Sequence, residues 1–136
     1  MEKTLPDWWI GARAPEATLG PWHVKLCISS EPVDPFTGWA WWTIGTPASG
    51  YVWQIHYVRV SIDASSLVKL ALMWGSTDPS TPGDIIQVAY GYGSAELYIP
   101  KGLDYVSGNY LQVGVYIYGD EARTPNVSIN GIKVKL

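Results

Sequence analysis

Three kinds of side chain in this sequence could carry out reaction chemistry: two histidines, one cysteine and twelve carboxylates. A metal centre or a general base needs several of them to converge. His23 and His56 instead sit singly in the apolar runs "PWHVKLC" and "WQIHYV". Neither has a second histidine or a carboxylate at ligand spacing, so both read as hydrogen-bonded structural histidines. Cys27 is the sole cysteine, which excludes intramolecular disulfides and multi-thiolate metal sites and suggests a small buried or half-buried thiol. No acid pair stands in an acid/base context, and Asp120–Glu121 reads as a solvated turn. Asp78 and Asp84 in "DPSTPGD" could offer oxygens to calcium, but without the spacing of a known calcium loop. No "GxSxG" elbow is present. The "GYG" at 91–93 has no following helix to hold a phosphate and reads as a bulge or bend. "NVS" at 126–128 fits the N-glycosylation pattern. The expectation is a protein that is not an enzyme and holds no cofactor or metal.

The strong signal is aromatic. Eight Trp and nine Tyr stand against one Phe. Phe packs a core without needing a polar partner, whereas Trp and Tyr carry donors that suit half-wet surfaces and interfaces. Trp22, Trp53 and Trp74 alternate with aliphatic residues and read as core. Left for a surface role are Trp8 and Trp9, the cluster Trp39, Trp41 and Trp42 in "GWAWWTIG", and a row in "YLQVGVYIYG". Period-2 alternation sends Leu111, Val113, Val115 and Ile117 to the core there. Tyr110, Tyr116 and Tyr118 then face outward, with Gly114 among them as a place of close approach. These eight residues (Trp8, Trp9, Trp39, Trp41, Trp42, Tyr110, Tyr116, Tyr118) are the candidate interface.

Short β-branched and aromatic runs separated by turn signals must position them. Strands are expected over 22–29, 38–45, 51–62, 66–74, 85–93, 95–100, 110–119 and 126–136. The run "SLVKLALMW" has helical propensity, but its clean alternation of Val68, Leu70, Leu72 and Trp74 favours a strand. In "GIKVKL", Ile132, Val134 and Leu136 are expected inside, with Lys133 and Lys135 outside. Residues 75–84 form a polar loop broken by two prolines. Residues 1–21, rich in Pro and Gly, read as an extended N-terminal arm anchored by Trp8 and Trp9. Residues 22–136 form one β-sandwich domain of about eight antiparallel strands, with a jelly roll preferred over an immunoglobulin-like order.

Only 15% of residues are charged, against roughly 25% in typical soluble domains. The nine Lys and Arg are scattered and the net charge is −3, so nucleic acid is not an expected partner. No apolar run is long enough to span a bilayer as a helix. The N-terminus lacks the basic and apolar regions of a signal peptide. The segment "GSAELYIPKGLDYVSGNYLQVGVYI" resembles the strand–turn–strand cadence of small jelly-roll virion proteins of the capsid and decoration type, over roughly residues 51–136. That resemblance implies a homo-oligomeric structural subunit at a virion or extracellular surface, and it transfers no catalytic or ligand residue. The alternative is a carbohydrate-binding module whose Trp and Tyr stack on a glycan. Against it, the aromatics lack a surrounding polar cluster, and Asn130–Gly131 stand where such modules often carry an acid.

Overall fold

The computed structural model describes residues 19–27, 40–119 and 123–136. Trp8, Trp9, Trp39 and residues 1–18 of the expected arm lie outside these. Among the described residues there is no helix. The strands are β1 (Leu19–Cys27), β2 (Ala40–Gly45), β3 (Tyr51–Ser61), β4 (Leu67–Ser76), β5 (Asp84–Tyr92), β6 (Ser94–Val106), β7 (Tyr110–Ile117) and β8 (Asn126–Lys135). They form two antiparallel sheets, β1-β8-β3-β6 and β2-β7-β4-β5. Pairing is nested: β1 with β8, β2 with β7, β3 with β6 and β4 with β5.

The two sheets face each other across an aliphatic core, as expected of a β-sandwich. Leu111, Val113, Val115 and Ile117 of β7 are fully buried, as the alternation of that strand predicts. With Val68, Leu70 and Leu72 of β4 they meet Ile55, Val58, Val60, Val127 and Ile129 of the other sheet. β4 is thus a strand despite its helix-forming residues, because alternate positions find the core. Trp53 and Trp74 pack against this cluster, half-buried. The Trp74 indole N–H donates to the Asp104 carbonyl at 3.1 Å. Tyr105 crosses the core, and its hydroxyl donates to the Met73 carbonyl at 2.7 Å. Burial pushes the Tyr105 pKa upward, so the hydroxyl stays protonated and a donor.

Two strand boundaries and the end of β8 differ from expectation. β1 begins at Leu19 rather than Trp22, because it is an edge strand and tolerates Pro21 there. β6 continues past Pro100 by the same rule. Residues 99–102 bulge opposite His56, and pairing resumes at Leu103. In β8, Val134 is buried but lies apart from the main cluster. It lies five positions from core-facing Ile129, an odd step, so it points to the opposite face, beside its register partner Val52. Leu136 is exposed. The "GYG" is the corner between the sheets: Gly93, at φ 75°, donates its N–H to Ser66 and accepts from Ile62.

Candidate functional site

Of the five sequence candidates that fall among the described residues, Trp41, Tyr116 and Tyr118 come together on the outer face of sheet β2-β7-β4-β5. Register places Trp41 opposite Gly114, with Ala71 and then Val88 beyond it in the same row. A neighbouring row runs Thr43, Gln112, Met73 and Ile85. On the other side of the Trp41 row, Tyr116 lies opposite Lys69, which lies opposite Tyr90. The Tyr116 and Tyr118 rings are 4.7 Å apart, and the Lys69 ammonium lies 5.5 Å from the centre of the Tyr90 ring. Trp41, Tyr116 and Tyr118 are therefore neighbours on one surface. Tyr110 stands at the far end of β7, level with Ser76, and does not join them. Trp42 is also removed from this surface. Alternation turns it inward opposite Val113, and it packs on the core.

An outward face should be wet, yet Ala71, Met73, Gln112 and Gly114 are buried. Part of the cover is the β4–β5 loop, which Gln112 holds down. Its Oε1 accepts from Gly83 N–H at 2.7 Å, while Nε2 donates to Thr43 Oγ1 at 3.1 Å and to the Thr81 carbonyl at 3.0 Å. Thr43 Oγ1 donates onward to the Pro79 carbonyl at 2.6 Å. Asp78 shapes the loop by accepting from Ser80 N–H, Ser80 Oγ and Thr81 Oγ1. These bonds, those from Ser80 foremost, hold its carboxyl below the usual range. Asp78 is thus a turn-forming residue, and among the described residues no group of three His, Cys, Asp or Glu could hold a metal. Beside the loop opens an apolar groove of about 310 Å³, lined by Trp41, Met73, Pro82, Gly83 and Ile85.

The groove leads to β5, a strand expected from the sequence over 85–93 but absent from the eight interface candidates. Among the described residues β5 pairs only with β4 and forms the edge of its sheet. Ile85, Ile86, Val88, Tyr90 and Tyr92 on it are all exposed, Tyr92 to 78%. An apolar run with hydrophobic residues on both faces ordinarily signals burial, so periodicity alone points the wrong way here. The available signal was the scarcity of charge, with Asp84 alone in 84–92. His56 belongs to a different region and is structural. Its Nδ1 lies 3.2 Å from the Ile99 carbonyl and its Nε2 3.0 Å from Gln54 Oε1, across the β6 bulge.

No family model matches this chain, and no curated protein matches it. Two solved structures align over most of it. One belongs to a study of Bacillus endospore appendages, described as a novel family of disulfide-linked pili. It aligns at TM-score 0.42 and 10% identity over 88% of each chain. The other is PirA, at TM-score 0.40 and 11% identity over 89% of this chain and 98% of that one. Neither description names a virion, and at these scores neither match carries a functional argument.

Proposed function

We propose that this chain is a non-enzymatic structural subunit of an extracellular or virion-surface assembly, and that it self-associates through the outer face and edge of sheet β2-β7-β4-β5. The observation that carries this reading is the continuous exposed surface of Ile85, Ile86, Val88, Tyr90, Tyr92 and Tyr118 in a chain with only 15% charged residues. Contiguous apolar surface of this kind marks an interaction site. We further infer that the nested strand order is a jelly roll, the architecture of many capsid subunits. The glycan-binding alternative has less support: Gln112, a polar side chain in the row beside Trp41 and Gly114, commits its amide to the loop and the Thr43 hydroxyl.

Light scattering across a concentration series tests the proposal. The expected mass rises above the 15.0 kDa of one chain as concentration increases. Trp41→Ala combined with Tyr116→Ala should weaken that rise while far-ultraviolet circular dichroism stays unchanged. A chain that remains monomeric and is retained on a polysaccharide column would replace this reading with the glycan one.

A further inference from the structure

The two sheets end in edges of opposite character. Edge strand β6 carries Glu96, Pro100, Lys101 and Asp104, and its outer face holds the Arg59–Glu96 ion pair at 3.5 Å. Charges and proline are the ordinary devices that keep an edge from pairing with another chain. β5, at the edge of the other sheet, has neither beyond Asp84 at its first position, and it leaves branched and aromatic side chains in solvent.

We propose that β5 is a docking edge and that its occupant is β5 of a second copy of this chain. The two strands would pair antiparallel about a two-fold axis, so that two four-stranded sheets become one. The inference rests on the reading of the chain as a self-associating subunit and names the contact.

Three observations select a second copy as the occupant. A two-fold contact sets a surface against itself, so that surface must not repel its own image. An uncharged apolar strand meets that condition, whereas a basic or acidic partner would find nothing on 85–92 to pair with. The register provides the second argument. Pairing at Ile85–Gln87 is interrupted by a bulge, which leaves 87–92 as the straight stretch. A two-fold axis on Ala89 keeps the central pairs within that stretch, setting Val88 of each copy opposite Tyr90 of the other and Gln87 opposite Gly91. Branched–aromatic cross-strand pairs such as Val88–Tyr90 are the favourable ones. The same register keeps the two Asp84 carboxylates ten positions apart, about 33 Å at the usual rise per residue. An axis on Val88 would draw the bulge into the ladder. An axis on Tyr90 would set two tyrosines face to face, each with its Lys69 ammonium close by. Area is the third argument. Ile85, Ile86, Val88, Tyr90 and Tyr92 leave 39% to 78% of their surface in solvent, and cross-strand contact with a second β5 removes part of that apolar surface from water. New main-chain hydrogen bonds add to that gain.

Sedimentation equilibrium combined with hydrogen exchange on the full chain tests the contact, because only edge pairing protects the outward amides of β5. Exchange over 84–92 should slow as concentration rises, while exchange over 94–106 should not. Val88→Lys and, separately, Tyr92→Lys should each raise the dimer dissociation constant by about tenfold or more and abolish that protection. Tyr98→Lys, on the guarded edge, should change neither. If Val88→Lys fails to fold, Tyr92→Lys decides, since that side chain already stands in solvent. Folded β5 variants that associate as the parent does would overturn the edge contact and leave the subunit reading intact. A parent chain that stays monomeric even at about 1 mM would overturn both.

Discussion

Gln112 shows how one side chain turns a strand face into a built surface. It is fully buried, and its amide makes three hydrogen bonds that join β2, β7 and the β4–β5 loop. Gln112→Leu keeps the volume but strands the Gly83 N–H and the Thr81 carbonyl. The expected cost is about 2–3 kcal/mol in urea unfolding, with new protease cleavage within 77–83. Gln112→Glu keeps the acceptor toward Gly83 but sets a carboxylate against the Thr81 carbonyl. Burial raises the folded pKa of such a Glu above its unfolded value of about 4.3. The stability of this variant relative to the parent is therefore best below that value and declines as pH rises through the folded pKa. A deficit that failed to shrink toward pH 4 would show that the amide acts as a spacer and not as a donor. The position of Gln112 on the tyrosine side of its strand was legible in the sequence. Its burial was not, because the loop that covers it lies 29 to 33 residues away in the chain and carries no signal of where it folds.

At the level of elements, alternation was a dependable guide where one face of a strand meets the core and the other does not. It identified the inner row of β7, and it accounts for the inward turn of Trp42, which the sequence reading groups with Trp41 in the candidate interface. It also identified β4 as a strand against its helical propensity. It assigned no facing to β5, and at the end of β8 it gave buried Val134 and exposed Lys133 and Lys135 but also placed the exposed Leu136 inside. In both, the deciding fact is which strand lies alongside, and sheet order is a long-range property that no local window contains. Gly131 illustrates the point. A Cβ there would run into the Gln54 carbonyl and lie 3.1 Å from Ile55 Cα, because β3 bulges against β8 at this level. Gly131→Ala must therefore separate the two central strands of the first sheet. We expect a loss of about 2–3 kcal/mol in thermal or urea unfolding, a cost in the range of overpacked sites. Unchanged stability in this variant would mean that β3 and β8 move apart without penalty. Gly108, where a Cβ meets nothing within 4 Å but φ is 94°, serves as the comparison for backbone strain alone.

For the whole molecule, the scarcity of charge is the property that was most directly legible, and it constrains how assembly must respond to solution conditions. Nine basic and twelve acidic residues in 136 leave a net charge of −3. The proposed contact surface carries Asp84 at one end of β5 and Lys69 one strand inward. Contacts of that composition gain their free energy from removing apolar surface from water, and a non-directional, uncharged term is not screened by simple salt. An assembly held by ion pairs would weaken steeply over the same range, because the Debye length falls from about 14 Å to about 4 Å between 50 and 500 mM salt. The dimer dissociation constant should therefore change by less than about threefold between those NaCl concentrations. Ammonium sulfate, which is excluded from protein surface, should tighten it. Sedimentation equilibrium in the two salts separates the mechanisms. A dissociation constant that rises tenfold in NaCl would place the driving force in charged residues and away from β5. Tightening in sulfate with indifference to NaCl is the signature that the exposed row from Ile85 to Tyr92 predicts.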